Sequence, residues 1–123
     1  MAKIYDIKWM DEEAGEAEVY IITNNGLEFL CYAFPFDGII GDSLDDAICA
    51  LDADNVVRME NKEYKVDKLN DVWDYYVIGE IIDIQSGIIK VDDVLIELGK
   101  YALYGDARIG DFVSAKISRL DIW

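Results

Sequence analysis

Histidine is absent from this 123-residue sequence. With it go the commonest general base, the usual activator of a serine or cysteine nucleophile, and the commonest transition-metal ligand. Phosphate-cradling glycine loops are missing too, since neither G-x-x-x-x-G-K nor G-x-G-x-x-G occurs. Cysteine is scarce: Cys31 and Cys49 lie among apolar neighbours without C-x-x-C spacing, which reads as two free thiols in a reducing compartment in preference to a disulfide. No stretch reaches the roughly 18 uncharged apolar residues of a membrane span. The start, MAKIYDIKWM, also lacks the apolar core of a secretory signal, so the expectation is a cytoplasmic protein.

Basic residues are few as well. Lys and Arg number 11 against 26 Asp and Glu, a formal net charge of -15. Such a surface repels phosphate backbones and anionic lipid. Acidic chains with little to bury stay disordered, but 53% hydrophobic and 12% aromatic residues supply a core here. The length suits one domain, residues 1–123, that folds without metal or disulfide staples.

What is present is alternation. Tyr5, Ile7 and Trp9 fall on one face of a first strand, with Asp6 and Lys8 on the other. Ala17, Val19 and Ile21 continue the pattern up to Asn24-Asn25-Gly26, where Asn-Gly predicts a hairpin turn of the primed type. Leu27, Phe29, Cys31 and Ala33 line the return strand, and Leu30, Tyr32 and Phe34 give it a second apolar face, which marks a central strand.

The second half repeats the plan. Ile78 to Gly99 reads as two strands folded at Ser86-Gly87, with its aspartates keeping the outer face wet. Ile-Gly-Asp follows each hairpin, at 40–42 and at 109–111, with the second loop eight residues longer, so the two halves could be a duplication. Val113, Ala115 and Ile117 form a closing strand.

Between the halves, Ser43 and Asp46 resemble a capping box, and Leu44, Ala47, Ile48 and Leu51 recur at helical spacing, which predicts a short helix over Ser43–Ala53 narrowly ahead of a strand. Val56–Met59 and Glu63–Val66 read as a small hairpin, and Leu69, Val72, Trp73 and Tyr76 as a helical turn or two. Short strands, hairpin turns and at most two short helices predict an all-β or mainly β domain: a small antiparallel barrel or sandwich of six to eight strands, OB-like or SH3-like.

The abundant carboxylates make no metal loop. Asp52 to Glu63 starts like an EF-hand, with Asp52, Asp54 and Glu63 at the first, third and twelfth places, but Val56 takes a ligand place and Val57 the place that needs glycine. Asp92-Asp93 reads as a hairpin feature, not a ligand pair. With no nucleophile, base and orienting group together, neither an enzymatic role nor a cofactor is expected.

Aromatic residues remain. Trp9, Trp73, Trp123, Tyr75, Tyr76, Tyr101 and Tyr104 are more than a small core needs, and the first account of them is packing. Asp71, Trp73, Asp74, Tyr75 and Tyr76 nonetheless join acid and aromatic in one short stretch, DVWDYY, the composition of an interface anchor. The leading functional expectation is a non-enzymatic acidic module that binds a basic protein, in the manner of an immunity protein that blocks a toxin. An OB-like barrel for a small ligand or single-stranded nucleic acid is the alternative, weakened because only KEYKVDK clusters bases. A subunit role through an open strand edge is a third.

Overall fold

The computed structural model of the protein describes residues 2–70 and 72–122. Among them there is no helix. Eleven strands form one mixed sheet that is not closed. They are β1 (Lys3–Asp11), β2 (Glu16–Ile22), β3 (Glu28–Ala33), β4 (Ile48–Leu51), β5 (Asp54–Met59), β6 (Lys65–Lys68), β7 (Tyr75–Asp83), β8 (Ile88–Val91), β9 (Val94–Glu97), β10 (Phe112–Ile117) and β11 (Arg119–Ile122). The order is β1-β2-β3-β11-β4-β9-β8-β7-β10-β5, with β6 also on β7. Most neighbours are antiparallel, but β3–β11 and β4–β9 run parallel, so the sheet is mixed and has eleven strands in place of the expected antiparallel six to eight, because the strands β4 and β11 each cross to pair with the other half.

The Ile-Gly-Asp echo in the sequence has a structural counterpart. In the first half Gly41 N–H donates to the Ile4 carbonyl at 2.8 Å, and Ile4 N–H donates to the Asp42 carbonyl at 2.9 Å. In the second, Gly110 N–H donates to Ile81 at 2.9 Å, and Ile81 N–H to Asp111 at 2.8 Å. Each aspartate carboxylate also takes the N–H three residues before it, Ile39 in one case and Arg108 in the other. Each half is thus a three-stranded meander, β1-β2-β3 or β7-β8-β9, whose following loop returns to clasp its first strand; the two loops are equal at 14 residues, not unequal by eight, because Gly87 closes the β7–β8 turn and so corresponds to Gly15, not Gly26. Each half then lends a strand to the other: β4 lies parallel to β9, β11 lies parallel to β3, and the two lent strands pair antiparallel at Arg119–Leu51 and Leu120–Ala50.

The sheet is strongly curled. Five strand spacings separate β3 from β7 in the order, about 24 Å if the sheet were flat, yet Phe29 and Tyr75 have ring centroids 6.0 Å apart. The curl wraps one core, in which Val19, Ile21, Phe29, Val77, Ile81, Ile89, Val91, Val94, Ile96 and Leu120 are buried.

Several expectations are corrected. Ser43–Ala53 is not helical: Ile48–Leu51 is strand β4, because the gap between β11 and β9 is filled by backbone pairing that a helix could not supply. Among the described residues of 69–76 there is no helical turn either. Leu69 N–H donates to the Asp74 carbonyl, and strand alternation begins at Tyr75. The hairpin proposed around Glu60–Lys62 has its strands, but β5 pairs with β10 and β6 with β7. The return strand after Ser86-Gly87 is two strands, because Asp92 at φ 56° turns the chain between β8 and β9. Asp92 is not on a wet outer face: it is nearly buried and bonded to Asn25. A bulge after Ile4 shifts the phase of β1, so Ile4 points inward while Tyr5 and Trp9 point out. The closing strand bends at Ser118 into β10 and β11. The Asn24-Asn25-Gly26 hairpin forms, but only Gly26 has positive φ, so the turn is not the primed type.

Candidate functional site

The acidic-aromatic stretch chosen from the sequence is divided by strand alternation. Asp71 lies outside the described residues, as does Trp123. Tyr75 points inward and is core, where its hydroxyl accepts the Leu30 N–H at 2.8 Å, and burial raises its phenol above the ordinary range. Trp73 packs edge-on against Tyr32, centroids 6.0 Å apart at 85°. Over the same Tyr32 ring lies the Arg119 guanidinium at 4.4 Å, held by Asp121 at 2.6 Å. Tyr32 in turn donates to Glu16 at 2.5 Å, and this bond is the main cause that raises its phenol, against the Arg119 charge that lowers it. Trp73 is thereby committed to structure. Only Asp74 and Tyr76 meet at a shared hollow of about 230 Å³, with Asn55, Leu69, Asn70 and Lys116. It is smaller than most small-molecule sites, which run from about 300 Å³ upward.

The outer face around it carries mixed charge. Tyr64 stacks on Phe112 with centroids 5.4 Å apart, and the Lys90 ammonium sits over Tyr64. Arg58 lies over the Tyr104 ring and reaches Asp106 and Asp111, each at 3.4 Å. The Asp111 carboxyl is held below its ordinary range, first by the Tyr104 hydroxyl and then by the Arg108 N–H and Arg58. These groups fasten loop 98–111 to β5. Among the described residues no group of three or more His, Cys, Asp or Glu is placed to hold a metal ion, and no helix is long and apolar enough to cross a membrane.

A second surface was not singled out from the sequence. The β1–β2 turn and the loop from 34 to 47 meet where Phe36 N–H donates to the Gly15 carbonyl at 2.8 Å and Phe36 packs against Trp9, centroids 6.1 Å apart. From there the loop runs back along β1, the edge strand, to Asp42 at Ile4 and Leu44 at Ala2. Glu12, Glu13, Asp37, Asp42, Asp45 and Asp46 crowd these segments without one Lys or Arg, and Asp11 and Glu16 flank them. Among the acids Trp9, Met10, Phe34, Ile39 and Ile40 are exposed, from 39% for Trp9 to 66% for Ile39. The signal was in the sequence as a run of acids without bases. It was passed over because DEEAG and FDGIIGD also read as ordinary turn chemistry. Compared with protein-family models, curated proteins and solved structures, the chain has no match.

Proposed function

We propose that the protein is a non-enzymatic acidic binding module whose partner is a basic protein, an immunity-type inhibitor being the concrete form. The observation that carries this is the fate of its cations. Six of the 11 basic side chains, Lys8, Arg58, Lys68, Lys90, Lys100 and Arg119, lie over the chain's own aromatic rings. Arg58, Lys65 and Arg119 also pair with its own carboxylates. Seven of the eleven bases are thus held against partners within the chain; they keep their charge, but the 26 acids outnumber them and set the outward field. Complementary charge steers encounter and rejects acidic competitors. In the same reading the curled sheet is an open barrel, with the binding surface on its outside.

The test is affinity capture with the tagged protein at low ionic strength, followed by elution with salt. A basic protein released as salt rises, and rebinding when purified, supports the reading. Sub-micromolar retention of single-stranded DNA in a low-salt filter assay would sink it in favour of nucleic-acid binding.

A further inference from the structure

The two halves allow a comparison inside one molecule. In each, a four-residue turn (12–15 or 84–87) and a 14-residue loop after the third meander strand (34–47 or 98–111) occupy equivalent places and end in the same Ile-Gly-Asp clasp or contain it. The first set carries six acids and no base. The second carries Asp106 and Asp111 against Lys100 and Arg108, a net charge of zero. The clasp therefore does not demand acidity, because the same backbone bonds form with a neutral set. Nor does a general need for solubility account for it, since that would load both sets alike. Beside the acids stand Ile39 and Ile40, 66% and 59% exposed; Ile40 matches Ile109 of the neutral clasp, 62% exposed, but Ile39 stands where the second half has Arg108, so it is the apolar exposure peculiar to the acidic set, forfeiting burial worth about 1.5–3 kcal/mol.

We propose that the β1–β2 turn and loop 34–47 form the docking surface, and that its occupant is a cationic protein segment carrying apolar side chains. This rests on the basic-partner reading above and relocates its site away from Asp71–Tyr76. Lysines or arginines of the segment face Glu12, Glu13 and Asp37, which the Phe36–Gly15 bond brings to the same end of β1, while its apolar side chains cover Met10, Ile39 and Ile40. The nearest cations of the chain do not neutralise the surface: Lys8 is turned over the Tyr20 ring of β2, and Lys3 lies opposite Ser43 at the far end of the loop.

The experiment uses the whole chain and a synthetic peptide of alternating lysine and leucine, with oligolysine of equal charge beside it. Binding is mapped by amide shifts in NMR and measured by calorimetry at low salt. Two triple variants alter net charge equally: Glu12→Lys/Glu13→Lys/Asp37→Lys on the proposed surface, and Glu60→Lys/Glu63→Lys/Asp67→Lys on exposed positions elsewhere. The expected result is shifts confined to 9–16 and 34–47, with affinity for the lysine-leucine peptide falling about tenfold in the first variant and about twofold or less in the second. Ile39→Ser/Ile40→Ser should weaken the lysine-leucine peptide and leave oligolysine unaffected. Equal losses in both triple variants, or shifts centred on Tyr76 and Lys116, overturn the assignment while leaving the basic-partner reading in place. Failure of both peptides to bind wild-type protein overturns that reading itself. Self-association in light scattering, or binding to zwitterionic vesicles, that disappears in the isoleucine variant makes the occupant a second copy or lipid and equally overturns the proposal.

Discussion

The Leu30 backbone N–H, buried in β3, donates its hydrogen bond to the phenol of Tyr75, which is 45 residues away in sequence and five strands across the sheet. Strand β11 pairs with β3 only at Tyr32 and Ala33, so it stops short of Leu30, and the tyrosine supplies the acceptor that the ladder does not. Tyr75→Phe keeps the ring against Phe29 and strands the N–H. A loss of about 1–3 kcal/mol in urea unfolding is expected, the cost of an unsatisfied buried donor. No change would mean that a water or neighbouring carbonyl takes over.

Asn25 and Asp92 make a second long-range tie. Asp92 accepts the Asn25 N–H at 3.0 Å and its side-chain amide at 2.8 Å, joining the β2–β3 turn to the β8–β9 turn. Asn25→Asp replaces a donor with a second carboxylate and should lower stability by about 1–3 kcal/mol. Asp92→Asn, which keeps an acceptor and tolerates the φ of 56°, should cost clearly less. The order of the two unfolding midpoints checks the claim.

Gly79 sits in the middle of β7 where a Cβ would lie 2.7 Å from the Lys90 carbonyl oxygen and 2.8 Å from a Val91 methyl group. Backbone cannot retreat as a flexible side chain could. Gly79→Ala should therefore destabilise by about 1–3 kcal/mol, whereas Gly105→Ala, with nothing nearby, should sit close to wild type in the same thermal melt.

How far these ties were legible follows from their range. The first hairpin announces itself through local alternation and turn residues, so β2 and β3 were placed from Val19 and Cys31, whereas β8 and β9 read as one strand because the turn at Asp92-Asp93 carries no glycine. Strand β4 was missed, because its partners β11 and β9 lie far along the chain and parallel pairing leaves no turn to read. Its Ile48 and Leu51 fit helical spacing as well as a four-residue strand. Tyr75 and Tyr76 show the same limit at the site: composition put both at an interface, while alternation sends one into the core and the other outward. The acidic surface was visible as charge, but its contact with Trp9 and its exposed isoleucines depend on a loop path that no local pattern encodes.

Alkali should unfold the protein. Partial desolvation of the Tyr5 hydroxyl, on a residue still 40% exposed, and its bond with Glu28 push that phenol up to about 12, while burial raises Tyr75 and Tyr104 above 10.0 and the Cys31 thiol far above 9.0. The unfolded chain then releases these protons first. Their stabilisation is complete below about pH 9 and is lost as pH climbs through the folded-state values. Urea midpoints at about pH 8 and about pH 11 should differ in that sense, and Cys31 should resist thiol reagents until the chain unfolds.

Salt should stabilise the isolated protein. Its net charge of -15 repels itself, and the Debye length shrinks from about 30 Å at 0.01 M to about 8 Å at 0.15 M. The melting temperature should rise over that interval, while affinity for a cationic partner falls. A melting temperature that drops instead would mean that ion pairs such as Arg119–Asp121 outweigh the repulsion.

The exchange of strands between halves also bears on how the molecule comes into being. Strand β11 is the last of the eleven in the order of synthesis, yet it occupies the middle of the sheet, the ladder between β3 and β4. The first meander can zip up on the ribosome from local pairings, but it has no partner on its β3 side until Arg119–Ile122 emerges. For most of translation that side is an open edge beside Leu30 and Cys31, and completing the sheet requires closure over nearly the whole chain, a topology that folds slowly. An acidic chain is suited to that wait, because nascent copies with exposed edges repel one another.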